Sequence, residues 1–148
     1  MFFPRVLGAG CALLALSITS SAHGQAAPDT SAVARATEAG TAWLSLVDAG
    51  QFEASWDSAA PALQQAMSKA DWVQALTQAR APFEPFGKRT LAGTEFRATI
   101  PNAPPGPYVI LGFQTVVPGN HTVTETVVPM RLGDGSWRVS GYFIRPES

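Results

Sequence analysis

The chain is poor in the side chains on which thiol, metal and charge-driven chemistry depends. Among 148 residues there is one cysteine, Cys11, and there are two histidines, His23 and His121. A single thiol closes no intrachain disulfide and builds no cysteine metal cage, and two histidines make no histidine-rich site. Charge is sparse as well: ten Lys and Arg stand against eleven Asp and Glu, a net charge of −1. That balance leaves no electrostatic footprint for nucleic acid or an anionic membrane, so neither is expected as a partner. The glycines at 106, 112, 119, 133 and 135 fall in strand or turn patterns with no helix after them, so no phosphate loop is present. No G-x-S-x-G occurs, and a Ser-His-Asp triad would have to use His121 in a predicted hairpin tip. No cofactor and no metal is expected.

Long apolar runs are also missing. Val6 to Ile18 carries no charge but is only 13 residues long, short of the roughly 20 needed to span a bilayer. Arg5 precedes this run, and Ala22-His23-Gly24 follows it with small residues at the −3 and −1 positions of a cleavage site. Residues 1–24 therefore read as a secretory signal peptide, cut before Gln25, with Ala26 or Ala27 as the alternative. An acylated Cys11 is set aside, because Gly8 stands where a bulky residue belongs and Ala12 to Ile18 would remain as an apolar start. The expected location is periplasmic or secreted, with no membrane attachment after cleavage. Residues 25–32 form a polar leader and 33–148 a single domain.

Three helical stretches follow the leader. Thr30 or Ser31 is the expected N-cap of the first, which carries Val33, Ala36, Trp43, Leu44 and Val47 on one face and ends at Gly50, a residue suited to a left-handed C′ position. Gly40 lies on that face and implies close packing against a neighbour. The second stretch pairs Phe52 with Trp56 and breaks at Ala60, ahead of Pro61, before a turn that carries Leu63 and Met67. Ser68 to Asp71 resembles a capping box opening the third, with Trp72, Val73, Leu76 and Ala79 on one face.

From Lys88 the period changes from 3.6 to 2. Four strands are predicted, Arg89 to Ile100, Tyr108 to Val117, Thr122 to Leu132 and Ser136 to Ile144, joined as an antiparallel meander. With two-residue loops at Gly119-Asn120 and Asp134-Gly135, one face gathers Val109, Leu111, Phe113, Val117, Val128, Met130, Leu132, Trp137, Val139 and Phe143. That face is expected to meet the helices. The other gathers Tyr108, Ile110, Gln114, Val116, Val123, Glu125, Val127, Tyr142 and Ile144. Pro129 lacks the N–H a central strand needs, so a bulge is expected there, beyond which residues swap faces.

The fold class is thus α+β: three N-terminal helices packed on a four-stranded antiparallel meander. In topology this resembles the cone-shaped nuclear transport factor two-like, or cystatin-like, fold, in which a curved sheet wraps a long helix. At the residue level, Ala34 to Arg145 resembles the bacterial family catalogued as domain of unknown function 4019. The resemblance is carried by Trp43-Leu44, Ser55-Trp56, Trp72-Val73, Arg80-Ala81-Pro82 through Gly87, Glu125-Thr126 and Gly135 to Ile144. It implies no catalytic residues, because that family has no established activity.

Candidate chemistry rests on few residues. Glu125 comes out opposite Gln114 and Ile144 on a partly apolar face, where a desolvated carboxylate shifts in pKa. Glu125, Gln114 and Tyr142 are the candidate ligand-binding residues. A partner such as Arg97 or Arg145 would instead make Glu125 part of the scaffold. Arg131 and Arg138 fall opposite each other, an arrangement that costs energy unless an anion intervenes, so they are a candidate anion site. Trp43, Trp56, Trp72 and Trp137 sit at core positions. The expected function is an exported non-catalytic binding or scaffold domain. The alternative is an isomerase or dehydratase that uses a cavity carboxylate on a small apolar molecule. The apolar content of the second face leads to an expected homodimer through Ile110, Val116, Val127 and Tyr142.

Overall fold

A computed structural model of the chain describes residues 29–147. The expected signal peptide, residues 1–24, and residues 25–28 of the expected leader lie outside the described residues. Four helices precede four strands: α1 (Thr30–Asp48), α2 (Phe52–Asp57), α3 (Pro61–Ala66) and α4 (Lys69–Arg80), then β1 (Arg89–Arg97), β2 (Tyr108–Val117), β3 (His121–Arg131) and β4 (Trp137–Pro146). A short 3-10 turn, Ala81–Phe83, follows α4. The strands form one open antiparallel sheet in the order β1-β2-β3-β4, so the class is α+β, helices on a meander. Among the described residues no helix is long and apolar enough to cross a membrane.

Local chemistry accounts for the helix limits. The α1 cap is Asp29, one residue before the expected Thr30 or Ser31, and its carboxylate accepts from the Ser31 N–H at 3.0 Å. Gly50 takes φ +72° after α1, as a C′ residue should. The second stretch is divided into α2 and α3 because Ala60 is extended before Pro61, which opens α3. Ser68 caps α4, accepting from the Asp71 N–H and donating to the Asp71 carboxylate. The face α4 buries is Trp72, Leu76 and Arg80, with Ala79 exposed.

The core lies between α1, α4 and one face of the sheet, and includes Trp43, Leu44, Val47, Trp72, Leu111 and Val139. Gly40 sits where α1 crosses the sheet. A Cβ there would come within 2.5 Å of Leu111 Cδ1 and 3.3 Å of Pro129 Cγ, so glycine lets the helix approach. Trp137, Trp43 and Trp72 are buried and Trp56 is half-buried against the same core.

Sheet register departs from the expectation by one residue between β2 and β3. Val117 pairs with His121, so the loop is three residues, Pro118-Gly119-Asn120, rather than two. A slip of one turns every side chain of a strand over. Val123, Glu125 and Val127 therefore face the helices with Leu111 and Phe113, and are fully or nearly fully buried. Thr122, Thr124 and Thr126 face outward in their place. The expected bulge is present at Pro129: Val128 pairs with Gly141 and Pro129 with Val139, leaving Ser140 unpaired. Ser140 Oγ donates to the Val128 carbonyl at 2.8 Å. Beyond it Tyr142 and Ile144 join Trp137 and Val139 on the helix side, and Phe143 points outward, 56% exposed.

The expected apolar outer face is thereby corrected. Val127 and Tyr142 belong to the interior, Ile110 is half-buried and Val116 is exposed. The outer face carries a threonine row, with Phe143 and Val116 as its exposed large apolar side chains.

Candidate functional site

Four elements bring ionisable groups together beneath the sheet. Asp48 ends α1, Arg80 ends α4, Arg89 begins β1 and Glu125 lies mid-β3, joined by Thr115 of β2 and Tyr142 of β4. Arg80 arrives there because Trp72, Leu76 and Arg80 are spaced four apart, one face of a helix. Glu125 arrives there through the register just described.

Glu125 has no exposed surface. Its Oε2 accepts from Arg89 Nε at 2.7 Å and Thr115 Oγ1 at 2.5 Å. Its Oε1 accepts from Tyr142 OH at 2.5 Å and Arg89 Nη2 at 3.1 Å, with Arg80 Nη1 at 3.5 Å. Both oxygens of the carboxylate are thus fully engaged. Arg80 donates from Nη1 to Tyr142 OH at 3.0 Å and from Nη2 to Asp48 Oδ1 at 2.9 Å, while Phe86 stacks on its guanidinium at 3.8 Å. Arg89 forks onto Asp48 as well, with Nη1 at 2.6 Å from Oδ2 and Nη2 at 3.1 Å from Oδ1. Arg80 Nε also lies 3.5 Å from the carboxylate of the exposed Glu84, so two arginines meet Glu125, Asp48 and, at the rim, Glu84.

Titration follows from that pairing. Burial acts to raise the Asp48 pKa, but the hydrogen bonds and charge of Arg89, with those of Arg80, hold it below its ordinary 3.8. Burial opposes the Arg89 charge, and its bonds to Asp48 and Glu125 overcome this and raise its pKa. Tyr142 is pushed upward, first by burial and then by the Glu125 charge and hydrogen bond, so its phenol stays protonated and donating.

Of the candidate residues, Glu125 and Tyr142 come together and Gln114 does not. Gln114 pairs with Thr124 on the outer face, and its Nε2 donates to Glu147 at 3.2 Å. The partners of Glu125 are Arg80 and Arg89, not Arg97 or Arg145; Arg97 instead pairs with Glu95. Arg131 and Arg138 are not opposite each other. Arg131 pairs with Trp137 and Arg138 with Met130, because the β3–β4 loop is three residues, Gly133-Asp134-Gly135. Arg80 was legible in the 72/76/80 spacing of α4. That Arg89 and the helix-end carboxylate of Asp48 would join it was not legible, since each is distant in sequence from its partners.

An open depression of about 720 Å³ borders this cluster, lined by Val47, Asp48, Phe52, Arg80, Glu84 and Phe86 among others. Among the described residues no group of His, Cys, Asp and Glu is placed to hold a metal ion.

A family model described as a protein of unknown function (DUF4019) matches residues 39–142. The chain belongs to this family. The match runs from α1 to Tyr142 and so contains the whole buried cluster. Compared with the curated proteins, the chain finds no match.

Proposed function

We propose that this DUF4019 member is an exported, non-catalytic binding or scaffold domain. The saturation of Glu125 carries the reading. A general acid or base needs a proton position that substrate can reach. Every acceptor position of this carboxylate is taken by Arg89, Thr115 and Tyr142, and the glutamate itself has no exposed surface. Asp48 borders the open depression, but a carboxylate held ionised by two arginines is a weak base. The cluster ties α1, α4 and the sheet together, which is the work of a scaffold.

Export rests on the Arg5 to Gly24 pattern. The order of helices before a four-stranded meander supports membership of the cone-shaped, cystatin-like folds. The reading includes a homodimer through the outer sheet face, anchored on Phe143 and Val116 rather than on Val127 and Tyr142.

Thermal shift of the purified protein against a metabolite library tests the function. A binding domain is stabilised saturably by particular compounds and returns them chemically unchanged by mass spectrometry. Conversion of any compound, lost in Glu125→Gln, would establish the enzyme instead.

A further inference from the structure

We draw no further inference here: the strongest candidate, the depression of about 720 Å³ beside Asp48 and Arg80, belongs to the site already described, and the unpartnered donor among its lining residues, Arg80 Nε, is buried beyond the reach of a ligand.

Discussion

Glu125 shows how a single side chain can join two layers of a fold. Its charge is buried, yet two guanidinium groups, a hydroxyl and a phenol compensate it. Breaking such a group from one side is costly, because it strands the opposite charges: Glu125→Ala is expected to cost about 3–5 kcal/mol, read from the urea midpoint. Asp48 gives the pH dependence. Its folded pKa lies below its ordinary 3.8, so its contribution to stability is fully present above 3.8 and is lost as pH falls through the lower folded value. Asp48→Asn is therefore expected to be less stable than the parent at neutral pH, with the gap narrowing in acid denaturation below 3.8. A gap of constant size across that range would show that Asp48 is not ion-paired in solution.

At the scale of elements, α1 and the hairpin loops set the geometry. Gly40 costs helix propensity, and alanine there would recover about 1 kcal/mol. A Cβ would, however, press on Leu111 and on the rigid ring of Pro129, both buried, and overpacking of this kind costs about 1–3 kcal/mol. Gly40→Ala is expected to lower the thermal midpoint despite the better propensity. The three-residue β2–β3 loop has a sharper effect. Deleting Gly119 would leave Pro118 and Asn120 between the paired Val117 and His121, and Pro118 cannot adopt the positive φ of the primed turns that a two-residue hairpin loop favours. The thermal midpoint of that deletion, followed by circular dichroism, is expected to fall; an unchanged midpoint would mean that the loop geometry does not support the β2–β3 pairing.

For the whole molecule, the proposed assembly turns on the outer face. Thr122, Thr124 and Thr126 make it half-polar, so Phe143 is the anchor on which the proposed homodimer depends. Light scattering of the full-length chain is expected to give a dimeric mass that falls to the monomer in Phe143→Lys; a monomeric parent at tens of micromolar ends the dimer. Export belongs to the same scale: N-terminal sequencing of the protein from the periplasmic fraction is expected to begin at or near Gln25, and a lipid on Cys11 would contradict it.

Much of the architecture is local in origin and therefore legible in the sequence. The break at Ala60-Pro61, the Ser68 cap, the left-handed Gly50, the switch to a period of two after Lys88 and the bulge at Pro129 each follow from the conformational limits of one or two residues. The burial of Trp43, Trp72 and Trp137 follows from spacing. Which way β3 faces does not, because a period-2 strand of alternating valine and threonine, with a glutamate among them, reads plausibly on either side, and one residue in a loop chooses. The buried cluster is further from the sequence still. Asp48, Arg80, Arg89 and Glu125 lie on four different elements, and their pairing exists only once α1 and α4 are packed on the sheet, where the loss of water makes each charge need the others.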